Sequence, residues 1–120
     1  MTTFGKNMLW SVDRAQRAVV RRGFEVVLGC ARRSPSDALD LFDFDDHAMV
    51  AVSYRDASSV LTAAQQHDGG AWLEFFVADP ESIADSLVRE GFIRVTDGQT
   101  SHPYVQVPGG GPVFRIAHSG

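Results

Sequence analysis

Hydrophobic residues along the chain fall into short runs separated by polar stretches, and the spacing of these runs predicts strands and helices. Apolar strand candidates lie at residues 8–12 and 72–77, and each runs into an aspartate, Asp13 or Asp79. Aspartate is favoured just before a helix because its carboxylate accepts unpaired backbone amide protons of the first turn. Pro80 follows at the first helical position, where proline is tolerated best. Each half of the chain is therefore predicted to begin with a strand and a helix.

The two predicted helices end in a repeated motif. Residues 19–27 read VVRRGFEVV and residues 87–95 read LVREGFIRV, which places Gly23 and Gly91 at matching positions. Apolar residues at helical spacing precede Gly91, and glycine commonly follows the last residue of a helix. By the repeat, Gly23 should end the first helix as Gly91 ends the second.

Three further strands are predicted after each helix. They lie at Phe24–Leu28, Ala38–Phe44 and Ala48–Ser53 in the first half, and at Phe92–Val95, Tyr104–Val107 and Val113–Ala117 in the second. Glycines between the last two runs predict a hairpin turn, and residues 55–70 predict a linker with a short helix. The pattern therefore predicts an α+β fold of two tandem βαβββ modules, at about residues 5–54 and 71–118. Helices would cover one face of the curved sheets, and the other face would be concave.

Length and composition indicate one ordinary globular domain. The chain has 120 residues, of which 44% are hydrophobic and 22% charged, which is typical of such domains. The net charge of −4 argues against nucleic-acid binding, which needs a basic surface. No apolar run is long enough for a membrane span, and no signal peptide is recognisable. The single cysteine, Cys30, excludes an internal disulfide framework and is interpreted as a structural thiol of a cytoplasmic protein.

Three segments carry a resemblance to the vicinal oxygen chelate superfamily, the group of glyoxalases and bleomycin-resistance proteins. They are WLEFFVADP at residues 72–80, LVREGF at 87–92 and VPGGGPVFRI at 107–116. The last resembles the family's closing hairpin, with Val107 where the family commonly has aspartate. The resemblance implies the two-module fold, a ligand site on the concave face and a homodimer. Whether modules pair within one chain or across the dimer stays open.

Enzymes of this family hold a divalent metal through a histidine of the first strand and a glutamate of the last strand of each module. The resemblance assigns these positions to Asn7 and Trp72, to Ala51 or Val52, and to Phe114 or Arg115. None of these residues is a histidine or a carboxylate, and such a metal site needs several converging donors. We therefore expect no metal and no cofactor.

Strand alternation predicts what occupies the concave face instead. In the strand at 72–77, Trp72, Glu74 and Phe76 would face the cavity and the intervening residues would face the helices. Aromatic rings with one carboxylate suit a flat, apolar or cationic ligand, although core or dimer packing of these rings is the alternative. Further candidates at the rim and on the last strand give the predicted binding set Trp72, Glu74, Phe76, His102, Tyr104 and Arg115. The last three are equally compatible with ordinary surface roles.

Residues 40–47, DLFDFDDH, also invite a metal interpretation. However, Asp45, Asp46 and His47 lie at a predicted hairpin turn, where aspartate is favoured for backbone reasons. We therefore interpret this run as a turn. Trp10, on the helix-facing side of its strand, is predicted to lie in the core.

Three functions are compatible with these observations. The preferred hypothesis is a small-molecule binding protein that sequesters an aromatic or cationic ligand, such as an antibiotic, without chemistry. The alternative within the same family is a metal-dependent lyase, isomerase or dioxygenase with a non-standard site. The third is an interaction module without a ligand, or another α+β fold such as a ferredoxin-like one.

Overall fold

A computed structural model describes residue 2 and residues 5–68, 72–95 and 103–118 of the chain, without the side chains of residues 67, 68 and 72. The strands are β1 (Asn7–Asp13), β2 (Ala31–Ser36), β3 (Leu39–Asp43), β4 (Met49–Arg55), β5 (Trp72–Val77), β6 (Ile93–Val95), β7 (Tyr104–Gln106) and β8 (Val113–His118). The α-helices are α1 (Arg17–Arg21), α2 (Ala63–Asp68) and α3 (Pro80–Glu90). None of the helices in the described ranges is long and apolar enough to cross a membrane.

The strands form two four-stranded mixed sheets with the same connectivity. The first has the order β1-β4-β3-β2 and the second β5-β8-β7-β6. In each sheet the first strand pairs in parallel with the last strand, and the remaining pairs are antiparallel. The α+β fold of two βαβββ modules predicted from the sequence is therefore confirmed.

Local helix signals are confirmed at three helix ends. The Asp13 carboxylate accepts a hydrogen bond from the backbone N–H of Ala15 at 3.0 Å. The Asp79 carboxylate accepts one from the N–H of Ser82 at 3.2 Å, directly before α3. Gly91 ends α3 in the left-handed conformation, with φ of 118°. A residue with a side chain is strained there, which explains the glycine.

The strand predicted at Phe24–Leu28 is wrong, and Gly23 does not end the first helix. After a 3-10 helix (Arg14–Gln16) and α1, the chain continues as a π-helical segment through Arg22–Val27. It ends at Val27, and Gly29, two residues further on, has a left-handed φ of 75°. Phe24 is fully buried on this segment, with its ring stacked on Phe42 at a centroid distance of 4.9 Å. Tertiary packing of this ring therefore extends the helix, and the next strand begins only at Ala31.

The repeated motif instead marks where the two modules touch. A Cβ on Gly23 would collide with the ring of Phe92, and one on Gly91 would lie 2.9 Å from a methyl carbon of Val19. Arg22 and Glu90, which precede the two glycines, form an ion pair at 2.7 Å. The matching glycines thus permit close approach between the first helical segment and the end of α3.

One hydrophobic core connects both modules. It joins the helical segment around Phe24 to the helix-facing sides of both sheets, including Phe114 and Ile116 of β8. Trp10 is partly buried against this core, with its ring 5.8 Å from that of Phe24, as its strand position predicts. The sides of the sheets that face away from this core carry the exposed side chains of Leu9 in the first sheet and Phe76 in the second.

Candidate functional site

The open side of the second sheet carries a row of polar residues on adjacent strands. Glu74 of β5 lies opposite Arg115 of β8, and Arg115 lies opposite Tyr104 of β7. The Nη1 atom of Arg115 donates a hydrogen bond to Oε2 of Glu74 at 2.8 Å. Half of the predicted binding set is therefore brought into one cross-strand row. We call the surface formed by Glu74, Phe76, Tyr104 and Arg115 face 2.

The predicted alternation of β5 is confirmed for residues 73–77. Leu73, Phe75 and Val77 pack against the core, whereas Glu74 and Phe76 lie on the opposite side, where Phe76 is 64% exposed. Trp72 belongs to β5, but its side chain is outside the described part of the structure, and His102 lies outside the described residues altogether.

Charge on face 2 is balanced within the protein. The Glu74 and Arg115 side chains are 32% and 29% exposed, so water screens their attraction and the pair adds little stability. The Nε atom of Arg115 is buried and has no hydrogen-bond partner among the described residues. A cationic ligand would have to share the Glu74 carboxylate with Arg115, which the sequence did not indicate.

A cavity of about 430 Å³ runs along β5 and joins it to the first module. Its wall includes Glu74 and Phe76 of face 2, and Phe44 and Asp45 of the turn between β3 and β4. The ring of Phe44 stacks on that of Phe75 at 5.2 Å, which holds the turn against β5. Asp45 makes no ion pair with any described residue. Sequence reasoning placed neither Phe44 nor Asp45 beside β5, because their approach to this strand is a long-range contact.

The first sheet offers an apolar counterpart. We call face 1 the open surface formed by Leu9, Leu39, Met49, Ala51 and Ser53, above which lies a cavity of about 660 Å³. Leu9 is 65% exposed there. Alternation in β1 was the available signal: Trp10 faces the core, so its neighbour Leu9 faces outward.

Comparisons with known proteins agree with this architecture. Neither a protein-family model nor a curated protein matches the sequence. Among solved structures, a possible glyoxalase from Bacillus cereus aligns over 97% of this chain and 99% of its own, with a TM-score of 0.66 and 17% identity. A glyoxalase/bleomycin resistance protein from Albidiferax ferrireducens T118 aligns over 98% and 100%, with a TM-score of 0.70 and 13% identity. The fosfomycin resistance protein FosX from Mesorhizobium loti aligns over 100% and 95%, with a TM-score of 0.66 and 15% identity.

The chain has the glyoxalase/bleomycin-resistance fold. This excludes the ferredoxin-like alternative, because the likeness extends over nearly the whole chain in both directions. At these identities the likeness shows the fold alone.

The metal site that accompanies this fold in the enzymes does not fit the residues present. No three His, Cys, Asp or Glu side chains come together among the described residues in a way that would hold a metal ion. At the expected positions, Asn7 lies opposite Met49 and Trp72 opposite Val113, while Arg115 pairs with Glu74. A guanidinium at this place repels a cation, and it occupies the carboxylate of its neighbour.

The acidic run before β4 forms a turn. His47 has a left-handed φ of 69°, and the Asp46 carboxylate accepts a hydrogen bond from the N–H of Ala48 at 3.2 Å. Asp43 instead makes a two-pronged ion pair with Arg33, at 2.7 and 2.9 Å. Backbone geometry and ion pairing therefore account for these side chains, apart from Asp45.

The most perturbed titratable groups lie on the core side and are structural. Burial alone would raise the pKa of Asp40, but hydrogen bonds from Arg21, Ser34 and Tyr54 outweigh it and lower that pKa below its ordinary value. The pKa of Tyr54 is raised, mainly because its hydroxyl is buried and secondly because it donates a hydrogen bond to the Asp40 carboxylate. Burial raises the pKa of the Cys30 thiol to about 12, helped by nearby carboxylates. The raised pKa and the burial of the side chain argue against a role for Cys30 as a nucleophile.

Proposed function

We propose that the protein binds a small aromatic or cationic molecule at face 2 and sequesters it without chemical change. The observation that carries this proposal is the exposed ring of Phe76, which lines the cavity along β5 beside the Glu74–Arg115 pair. Ligand pockets typically combine apolar or aromatic walls with a few polar groups that orient the ligand. Face 2 has this composition, and its described residues do not hold the donors of a metal enzyme.

A flat ligand would stack on the ring of Phe76. Its polar groups would form hydrogen bonds with Arg115 and Tyr104 on the neighbouring strands. A positive charge on the ligand would be met by Asp45, whose carboxylate lines the same cavity and makes no ion pair with a described residue. Aromatic rings and carboxylates together attract organic cations. The predicted residues Trp72 and His102 remain part of this proposal by their sequence positions alone.

An antibiotic is the ligand class that we infer first. Structures similar to this chain include one described as a glyoxalase/bleomycin resistance protein and one described as a fosfomycin resistance protein. We also expect a homodimer, because exposed apolar side chains such as Ile93 favour association with a second copy that shields them from water. We expect the protein to act in the cytoplasm.

A thermal-shift screen tests the proposal. Bleomycin supplies aromatic rings with positive charge, whereas fosfomycin supplies an anion without a ring, and divalent metals with and without a chelator form the third arm. A ligand at 100 times its Kd stabilises the native state by about 2.7 kcal/mol, which moves the melting temperature by several degrees. We expect a shift with bleomycin that is lost in Phe76→Ala and kept in Val26→Ala, because Val26 is a similarly exposed apolar residue on the helical segment. A bleomycin shift that survives Phe76→Ala would place binding elsewhere.

A metal-dependent enzyme of the same fold is the second candidate. It is favoured by the similarity to a glyoxalase-related enzyme from Fulvimarina pelagi, with a TM-score of 0.66 and 13% identity. The site would be a non-standard one built from Glu74, His102, Tyr104 and Arg115. Stabilisation by a divalent metal, reversed by a chelator, would support this candidate and contradict sequestration without chemistry.

A further inference from the structure

A separate cavity of about 470 Å³ lies between β1 and the linker that joins the two modules. Its walls come from residues 9–11 of β1, from the linker residues 58–61 and Gln66, and from Gly110 and Pro112 of the turn between β7 and β8. We call this cavity the linker pocket. It contains none of the face 2 residues.

The linker is held in place as a wall of this pocket. The buried side chain of Gln106 donates hydrogen bonds to the carbonyl oxygens of Ala63 at 3.0 Å and Gly111 at 3.1 Å. Gly110 has a left-handed φ of 86° and packs so closely on the Leu61 carbonyl that a Cβ would collide with it. Buried polar groups that are paired in this way fix the geometry around them. The pocket is therefore formed before any ligand arrives.

The linker pocket offers uncharged hydrogen-bonding groups. No charged side chain lines it among the described residues. Ser11, Ser58, Ser59 and Gln66 line it, and none of these four side chains makes a hydrogen bond with a described residue. Hydroxyl and amide groups can both donate and accept hydrogen bonds. Each can therefore donate a hydrogen bond to a ligand hydroxyl or accept one from it.

Face 1 continues the linker pocket on its apolar side. Leu9 lines both the linker pocket and the face 1 cavity. The face 1 cavity has no charged lining residue in the described ranges either. An ionised ligand would lose hydration here without meeting an opposite charge, which is unfavourable.

We propose that the linker pocket, extended by face 1, binds an uncharged small molecule that carries an apolar ring and hydroxyl groups. This site is independent of the sequestration site on face 2. The ring lies on face 1 over Leu9, and the hydroxyls meet Ser11, Ser58, Ser59 and Gln66.

Three probes that share one ring test the proposal by amide NMR titration of the full chain. They are 4-nitrophenyl β-D-glucopyranoside, 4-nitrophenyl phosphate and 4-nitroanisole, which differ in carrying neutral hydroxyls, a charge or neither. We expect the glucoside to shift the amide signals of residues 9–11 and 58–66 and to bind at least tenfold more tightly than the other two. The proposal is overturned if the phosphate binds as tightly as the glucoside, or if the glucoside shifts only the signals of face 2. It is equally overturned if no shift occurs at glucoside concentrations up to about 10 mM, the range of weak binding.

Matched variants separate the site from the fold. Ser59→Ala should weaken glucoside binding about fivefold, the usual effect of one hydrogen bond, whereas Ser82→Ala on α3 should leave binding unchanged. Ser59→Trp should block the pocket, with Ser82→Trp as the control for bulk. Both serines are exposed, so none of these variants disturbs the core. Unchanged binding in Ser59→Trp would exclude the linker pocket as the site, and the Phe76→Ala screen would be unaffected by that result.

Discussion

Replacing Asp40 by asparagine should destabilise the protein strongly although it alters no apolar contact. The Asp40 side chain has no exposed surface, and its two oxygens accept four hydrogen bonds. One oxygen accepts from Nη2 of Arg21 at 3.0 Å and from Ser34 at 2.7 Å; the other accepts from Nε of Arg21 at 2.7 Å and from Tyr54 at 2.8 Å. Ser34 and Tyr54 can turn their hydroxyls to accept, but a guanidinium only donates.

Each oxygen of Asp40 accepts one N–H of Arg21. In Asp40→Asn, an NH₂ group replaces one of these oxygens, so it faces an N–H of Arg21 whichever way the amide is turned. The substitution also removes the charge that strengthens all four hydrogen bonds, and removing one partner of a buried ion pair costs about 3–5 kcal/mol. We expect a loss near the lower limit, about 3 kcal/mol, because the Arg21 side chain is 28% exposed and water can hydrate it. That loss would be a large part of the stability of an ordinary domain.

Urea unfolding followed by circular dichroism measures this loss, with Asp43→Asn as the matched control. Asp43 lies on the same strand with its own two-pronged arginine partner, but its pair with Arg33 is exposed to solvent, so its replacement should have a much smaller effect. Tyr54→Phe removes one hydrogen bond to a charged group, worth about 1.5–3 kcal/mol, and should be non-additive with Asp40→Asn because the two side chains are in contact.

The effect should also depend on pH in a defined direction. The folded-state pKa of Asp40 lies below its ordinary value, so its contribution is fully present above the unfolded pKa of about 3.9 and is lost as pH falls through the folded value. The difference between wild type and Asp40→Asn should therefore shrink only at acidic pH. Equal, small losses for Asp40→Asn and Asp43→Asn near neutral pH would refute the reasoning.

Three further predictions concern close packing, capping and a buried thiol. Gly23→Ala should destabilise the fold by about 2 kcal/mol in urea unfolding, because overpacking against the buried Phe92 ring exceeds the gain of about 1 kcal/mol in helix propensity; a variant more stable than wild type would contradict this close approach. Asp79→Ala should lower the free energy of unfolding by about 1 kcal/mol, because the hydrogen bond that caps the N–H of Ser82 is lost. Asp79→Asn keeps a capping oxygen and should lower it much less. Equal losses in the two variants would argue against a capping role. Cys30, with its pKa raised to about 12, should react with a disulfide reagent only as fast as the protein unfolds, and immediate labelling of native protein would show the thiol to be accessible.

Face 2 shows how much of a candidate site can be predicted from the sequence. Alternation along residues 72–77 correctly separates Glu74 and Phe76 from the core-facing residues, because neighbouring side chains of a strand must point to opposite sides. The ion pair between Glu74 and Arg115 was not predictable in the same way, since it depends on the parallel register of two strands far apart in the chain. The approach of Asp45 to β5 depends likewise on the packing of Phe44 against Phe75.

Short-range chemistry determined the elements that the sequence predicts by itself. Asp79 and Pro80 begin α3, Gly91 ends it, and alternation marks the strands, because each of these effects acts within a few residues of the chain. Gly23 has a local sequence similar to that of Gly91 and a different structure, because Phe24 packs in a core shared by both modules. Only tertiary structure decides such cases, since the burial of one ring outweighs the weak local preference of a glycine to end a helix.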